Sequence, residues 1–153
     1  MRSLNLPTYS FKLKSENDKQ YIFDTQRKKY VRLTPEEWVR QNFVKFLVKE
    51  RSFPAGRIIL EKTLIYNKLI KRCDILVYDR NMQPSVLIEC KAPEVRITSR
   101  VFDQASVYNL IFKVRFLIVT NGLSHYCARI HYNEKKVEFL REIPFYEKLI
   151  QDQ

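Results

Sequence analysis

Short alternating runs of hydrophobic and polar residues occupy the first third of the chain. One run is Phe11-Lys-Leu-Lys, another is Tyr21-Ile-Phe, and a polar stretch over residues 15–19 separates them. Alternation with a period of two is typical of strands that bury one face. Residues 1–33 are therefore predicted to form a small antiparallel β meander.

The pattern then changes from alternation to helical spacing. Thr34 suits the N-cap, Pro35 suits the first helical position, and Glu37 completes a capping box with Thr34. Apolar residues recur at helical spacing behind these three. Pro54 and Gly56 are predicted to end this helix.

Apolar runs bounded by turn residues predict the remaining elements. The predicted order is a strand over 57–66, a hairpin over 72–91, a helix over about 99–112, strands over 116–120, 126–131 and 137–140, and a short helix over 144–149. The pair Asn121-Gly122 is the strongest hairpin signal. The core order α-β-β-β-α-β indicates a fold of the α/β class. Within that class we expect an α+β arrangement, in which a mixed sheet lies between helices. We expect one domain over 1–153, with the meander at 1–33, a core at 34–142 and a C-terminal helix at 143–153.

Charge changes the picture more than length does. The 153 residues include 28 Lys and Arg against 17 Asp and Glu, which gives a formal net charge of +11 and a pI of about 9.7. A hydrophobic content of 45% argues against disorder, so this charge belongs to a folded surface. Nucleic acid is the first polyanionic partner to expect, and an anionic membrane surface is the second.

The sequence argues against a secreted or membrane-spanning protein and against two classes of nucleotide-binding protein. The N-terminus lacks the apolar core of a signal peptide, and no apolar run approaches the length of a membrane span, so we expect a cytoplasmic protein without membrane association. The glycines, Gly56 and Gly122, are too far apart for a P-loop or a dinucleotide fingerprint.

Cysteine and histidine offer weaker signals. Cys73, Cys90 and Cys127 are odd in number and show no C-x-x-C spacing, so reduced core thiols are expected. The hairpin register given below would let Cys73 face Cys90, which allows a disulfide under oxidising conditions. A zinc site that uses His125 or His131 is a less supported alternative.

The hairpin over residues 72–91 carries the candidate chemistry. If Tyr78 pairs with Ser85, then Asp74 lies opposite Glu89, with Cβ atoms roughly 4.5 to 5.5 Å apart. Two facing carboxylates repel, so a cation is expected between them. Lys91 lies two residues after Glu89 and so shares its face of the strand.

This arrangement suits phosphodiester hydrolysis. A hard cation needs oxygen ligands, and a nearby ammonium can orient or deprotonate the attacking water. The alternative is a set of solvated or salt-bridged charges at strand ends. Spacing alone does not decide between the two.

Five motifs in order along most of the chain carry a family resemblance. They are Thr34-Pro-Glu-Glu-Trp-Val-Arg-Gln, Arg72-Cys-Asp, Ile88-Glu-Cys-Lys-Ala-Pro, Gln104-Ala-Ser-Val-Tyr and Thr120-Asn-Gly. Together they resemble the nuclease domain at the N-terminus of the restriction subunit of type I restriction enzymes. That domain belongs to the PD-(D/E)xK nuclease superfamily, so the resemblance implies a restriction-endonuclease-like core.

The resemblance also implies a site. Asp74 and Glu89 would hold Mg²⁺ or Mn²⁺, with the backbone carbonyl of Cys90 as a third ligand, while Lys91 assists the attacking water. Glu37 matches an acidic residue that many relatives carry on the first helix, where it can reach the metal. Its capping role competes with that assignment.

Two further residues resemble a motif that accompanies this centre. Gln104 and Tyr108 lie four apart on one helix face and match a Gln-x-x-x-Tyr pattern; the alternatives are a solvated position for Gln104 and core packing for Tyr108. Cys73 stands where the superfamily name expects Pro. The sequence ends at Gln153, so we expect no helicase motor, and the resemblance does not imply ATP-driven translocation.

The sequence thus predicts a magnesium-dependent DNA endonuclease that hydrolyses phosphodiester bonds. If family chemistry holds, cleavage leaves a 5′-phosphate. Two alternatives stand beside it: a non-catalytic nucleic-acid-binding module, and a subunit of a larger restriction or defence complex.

Overall fold

The computed structural model describes residues 1–151, except for the side chains of residues 66, 107, 108, 110 and 111. Over these residues the chain forms the meander strands β1 (Leu13–Glu16), β2 (Lys19–Asp24) and β3 (Lys29–Arg32), the helices α1 (Pro35–Glu50), α2 (Ser99–Phe112) and α3 (Tyr146–Ile150), and the strands β4 (Ile58–Tyr66), β5 (Leu69–Tyr78), β6 (Pro84–Cys90), β7 (Phe116–Thr120), β8 (His125–His131) and β9 (Lys136–Leu140). A 3₁₀ turn, Ala55–Arg57, precedes β4. None of the helices within 1–151 is both long and apolar enough to cross a membrane.

The N-terminal strands form the antiparallel sheet β1-β2-β3 that alternation predicts. Asn17 and Asp18 connect β1 to β2 with φ angles of 50° and 58°. Such left-handed pairs match the twist of a two-residue hairpin turn, and Asn and Asp tolerate the left-handed conformation better than most residues.

Helix α1 begins where its capping signals predict. The Oγ1 of Thr34 accepts a hydrogen bond from the backbone N–H of Glu37 at 3.1 Å, and Pro35 occupies the first position. The predicted end at Pro54 is wrong, because the helix stops at Glu50. Ser52 adopts a left-handed φ of 59°, which turns the chain away before the proline is reached.

The larger sheet has six strands in the order β4-β5-β6-β7-β8-β9. Strands β6 and β7 are parallel and are joined through α2, whereas the other neighbours are antiparallel. The predicted α-β-β-β-α-β order and the mixed sheet are confirmed. The Asn121-Gly122 turn joins β7 to β8, as its sequence predicts.

The predicted register of the β5–β6 hairpin holds in its middle and fails at its turn. The observed pairs are Ile75↔Ile88, Leu76↔Leu87 and Val77↔Val86. Tyr78, however, pairs with Pro84 and not with Ser85, because the ladder shifts by one residue there. The Oδ1 of Asp79 accepts hydrogen bonds from the backbone N–H groups of residues 81 and 83, which tightens the turn by one residue.

Helices cover both faces of this sheet. The core under α1 and α3 includes Ile75, Ile88 and Cys90, whereas the core under α2 includes Cys73 and Leu87. Both cores are fully buried, so the central strands read as nearly continuous apolar runs.

The predicted facing of Cys73 and Cys90 is therefore wrong, since the two thiols lie in different cores on opposite faces of the sheet. The β4–β5 ladder is interrupted at Glu61, which has a φ of 51°. This distortion changes the side-chain alternation between Cys73 and Ile75. All three cysteines are buried free thiols.

Candidate active site

Neighbouring strands bring Asp74 and Glu89 together. The Oδ2 of Asp74 accepts a hydrogen bond at 2.8 Å from the backbone N–H of Cys90, the residue next to Glu89. The Asp74 and Glu89 side chains are 14% and 13% exposed, so both are shielded from water without being sealed from it. The β5–β6 ladder ends at Ile75↔Ile88, so Asp74 lies near Glu89 through its bond to Cys90 and not through the direct pairing that the predicted register gives.

The surroundings of Glu89 change its pKa. Burial, followed by repulsion from Asp74, raises its pKa from 4.5 to about 7, while Lys71 opposes the shift. The Lys71 ammonium forms an ion pair with Glu89 Oε1 at 3.2 Å. Near neutral pH the Glu89 carboxyl is therefore poised between its charged and neutral forms.

Asp74 is held from the other side by α1. The guanidinium of Arg40 donates to Asp74 Oδ1 at 2.8 Å and also pairs with Glu37 and, at 3.2 Å, with Glu61. Burial acts to lower the pKa of Arg40, but its attraction to Glu37 and Asp74 outweighs burial and raises that pKa. Arg40 is therefore a permanent positive charge beside Asp74.

The carboxylate of Glu37 is directed into this ionic network. It accepts hydrogen bonds from Arg27 and Arg40, and Glu37 is only 4% exposed. Its backbone N–H is the group that Thr34 caps. Glu37 thus takes part in the cap through its backbone and reaches Asp74 through Arg40.

A cleft opens on the α2 side of Glu89. Its volume is about 570 Å³, and three of the predicted site residues line it: Glu89, Lys91 and Gln104. Lys91 follows β6 directly, and its backbone N–H donates to Thr120 O at 2.8 Å, which continues the β6–β7 pairing. The side chain of Tyr108 lies outside the described residues.

Three functional candidates were not singled out by sequence reasoning. Arg40, Arg27 and Lys71 each pair with a predicted site carboxylate. The spacing of Glu36, Glu37 and Arg40 on one helix does indicate an ion pair. Lys71 appears in the sequence only as one member of a basic run.

The available oxygen donors decide which metal the site suits. Over residues 1–151, no group of three or more His, Cys, Asp and Glu side chains is arranged to hold a metal ion. Asp74 and Glu89 supply two carboxylates, and Mg²⁺ is commonly bound through one or two carboxylates while it keeps several waters. The crowding that raises the Glu89 pKa is also what a cation would relieve. The donor set fits Mg²⁺ or Mn²⁺.

Neither histidine supports the zinc alternative. His125 packs against Phe43 and Phe46 and hydrogen-bonds Thr120 through Nδ1 at 2.7 Å. Burial lowers the pKa of His125, so it is a neutral core group. His131 pairs with Glu138 on the neighbouring strand. Each histidine ring therefore already has a hydrogen-bond partner that is not a metal ligand set.

Comparison with known proteins identifies the family of the chain. A family described as "Type I restriction enzyme R protein N terminus (HSDR_N)" matches residues 35–144. This match covers most of the chain, from the first residue of α1 to the loop before α3. The chain belongs to this family of type I restriction enzyme R protein N termini.

A solved structure shows the same fold. It is described as a fragment of an HsdR subunit of a type I restriction enzyme from Vibrio vulnificus YJ016, and it is 21% identical with a TM-score of 0.54. The match covers 76% of this chain and 24% of that chain, so this chain spans about a quarter of its neighbour's length. No curated protein matches the sequence.

Proposed function

We propose that the protein is a Mg²⁺- or Mn²⁺-dependent DNA endonuclease. The observation that carries this proposal is the placement of Glu89 and Lys91 in one cleft with Asp74 directly behind them. A carboxyl whose pKa is raised by burial and by a neighbouring carboxylate, and which lies in a cleft, is typical of functional sites, and Glu89 is such a group.

Each residue has a distinct role in this proposal. Asp74 and Glu89, with the backbone carbonyl of Cys90, would hold the cation. Bound Mg²⁺ would stabilise the negative charge that develops on the phosphate. Glu37 is separated from Asp74 by Arg40, so it acts by positioning Arg40 and would touch the cation only if Arg40 moved aside.

The lysine and the glutamine act on the water and the substrate. Lys91 orients the attacking water, because its side chain lines the same cleft as Glu89 and Lys71 is already paired with Glu89. Gln104 faces the same cleft from α2 and can hold a phosphate oxygen or that water through its amide. The water attacks phosphorus in line, and the leaving 3′ oxygen takes up a proton.

A non-catalytic nucleic-acid-binding module is the second candidate, and one observation favours it. Asp74 already pairs with Arg40, and Glu89 already pairs with Lys71. In this second candidate, the Arg40 guanidinium and the Lys71 ammonium occupy the place of a metal ion permanently. In that case the carboxylates would be structural and the basic surface would be the functional part.

Cleavage assays separate the two candidates. Plasmid and linear DNA are incubated with the purified protein in Mg²⁺, Mn²⁺ or EDTA, and the products are examined for 5′-phosphate ends. Asp74→Ala, Glu89→Ala and Lys91→Ala should each lower cleavage by about 100-fold or more. Glu134→Ala and Lys148→Ala, at exposed positions, are the matched controls and should cleave normally. Binding without metal-dependent cleavage would favour the binding module.

The family also implies partners. We propose that the protein acts with other subunits of a restriction system, because it belongs to an R protein family and spans about a quarter of a related subunit. Cleavage by the isolated protein that does not change when candidate subunits are added would argue against this dependence.

A further inference from the structure

The β4–β5 hairpin extends beyond the rest of the sheet. The last pair that β5 forms with β6 is Ile75↔Ile88, whereas β4 and β5 continue to pair from Lys62↔Cys73 as far as Tyr66↔Leu69. Residues 62–73 thus form a two-stranded extension, called the ribbon below. Five pairs at roughly 3.4 Å per residue give it a length of about 17 Å.

The tip of the ribbon is a tight turn. Asn67 and Lys68 have φ angles of 46° and 68°, and they connect Tyr66 directly to its partner Leu69. Two left-handed residues between paired strands match the right-handed twist of a hairpin, as in a type I′ turn. The tip therefore consists of two residues.

One face of the ribbon is packed and the other is bare. Leu64 packs against the core under α2. Ile65 and Ile70 are directly paired, and they are 70% and 72% exposed, which ranks them among the most exposed large apolar residues described. Leu69, which is 57% exposed, lies on the opposite face, because successive residues of a strand alternate between its faces. A directly paired and exposed pair of isoleucines is an apolar surface of the kind found at interaction sites.

The charge of the ribbon narrows the choice of partner. Residues 62–72 include four basic residues and no acidic one; these are Lys62, Lys68, Lys71 and Arg72. Lys71 pairs with Glu89 and Arg72 with Glu61, while Lys62 and Lys68 are exposed. A second copy of the chain docked here would bring like charges together, whereas a polyanion would be attracted.

The ribbon is continuous with the cleft. Ile70, Lys71 and Arg72 line it together with Glu89 and Lys91. A molecule that lies along the ribbon is therefore next to the opening of the cleft. The ribbon is thus a surface beside the proposed scissile position and not a remote patch.

We propose that the ribbon enters a groove of duplex DNA and positions the duplex over the cleft. A two-stranded β-ribbon is of a size that the major groove admits. Ile65 and Ile70 contact base edges and sugars from the bare face, while Lys62 and Lys68 contact phosphates on either side. This inference rests on the proposed DNA endonuclease function and adds the element that selects the duplex form of the substrate.

DNA binding in EDTA tests the inference without cleavage. The double variant Ile65→Ser/Ile70→Ser changes only exposed side chains, and Val95→Ser/Val137→Ser is a matched pair away from the ribbon, at 40% and 49% exposure. Fluorescence anisotropy with a labelled duplex and with one of its single strands gives Kd for each protein. The ribbon variant should bind the duplex about tenfold more weakly, with little change for the single strand and none in the control.

Different results separate this inference from the function on which it rests. If the unaltered protein binds and cleaves DNA and the ribbon variant binds duplex equally well, the ribbon inference is overturned and the proposed function stands. Equal losses on duplex and single strand would overturn it as well, because the ribbon would then not read the duplex. If light scattering shows that the variant turns a dimer into a monomer with unchanged duplex affinity, the occupant is a second copy. If the unaltered protein binds no DNA, both proposals fail.

Discussion

The two sides of the carboxylate pair are built differently. On the α1 side, Asp74 belongs to a buried network in which Arg40 and Arg27 join it to Glu37 and Glu61. On the α2 side, Glu89 faces an open cleft with lysine ammonium groups beside it. Asp74 is paired with a guanidinium on the first side, whereas Glu89 is paired with the Lys71 ammonium on the second.

This difference indicates a division of labour. A guanidinium binds carboxylates through a planar fork and holds them in fixed geometry, whereas a lysine is a flexible point charge. The α1 side is therefore suited to fixing Asp74 in place. The α2 side leaves Glu89 able to change its charge and its partner when a cation or a substrate arrives.

Removing the Arg40 guanidinium should have the largest effect on stability. Arg40→Met leaves Glu37 and Asp74 buried without their shared guanidinium, which should lower the free energy of unfolding by about 3 to 5 kcal/mol. Urea denaturation followed by circular dichroism measures it. Arg141→Met, at an exposed arginine, is the control and should change stability by less than about 0.5 kcal/mol. Equal stability of the two variants would mean that the network does not hold Asp74.

Glu89 should make stability depend on pH. Its pKa is raised from 4.5 to about 7, so the folded state binds this proton more tightly than the unfolded state does. Stability is therefore lost as pH rises from about 4.5 through 7. Glu89→Gln stays neutral, so its stability relative to the unaltered protein should improve by on the order of 1 to 3 kcal/mol between pH 4.5 and pH 8.

Urea denaturation at a series of pH values tests this difference. The useful quantity is the difference in unfolding free energy between the two proteins, followed as a function of pH. Any cost of the substitution that is the same at every pH, such as the lost contact with Lys71, cancels when this difference is compared between pH values. Glu134→Gln at an exposed position should show no such change. A gap that does not vary with pH would place the Glu89 pKa near its ordinary value.

The smallest expected effect is the response to metal. Mg²⁺ or Mn²⁺ that binds only the folded state should raise Tm by about 3 °C at concentrations well above Kd. The shift should be larger at pH 8 than at pH 6, because a cation needs Glu89 ionised. Differential scanning fluorimetry measures it, with Glu89→Gln as the comparison. An equal shift in that variant would mean that the cation binds elsewhere.

Local signals predicted the parts of the fold that local chemistry determines. Thr34 and Pro35 mark the start of α1 because a cap depends on residues three apart. The β5–β6 register follows from the alternation of apolar residues on each strand, and it holds from Ile75 to Val77. The register shift at Tyr78 did not follow, because it depends on how the Asp79 side chain bonds the turn.

The candidate site was predicted only as far as its own hairpin reaches. Asp74, Glu89 and Lys91 follow from strand geometry, and the fold brings Gln104 to the same cleft. The pairing of Arg40 with Asp74 joins residues 34 positions apart and depends on how α1 packs on the sheet. No periodicity along the chain contains that information.

Arg27 has a practical consequence for where the domain can be divided. The family match begins at residue 35, yet Arg27, on the turn between β2 and β3, supplies a guanidinium to Glu37 and Glu61. A shortened protein that begins at residue 35 would keep Arg40 and lose Arg27, and so would lose one of the two arginines that pair with Glu37 and Glu61. The meander therefore contributes a side chain to the ion-pair network beside the candidate site, and a boundary drawn at residue 35 would cut through that network.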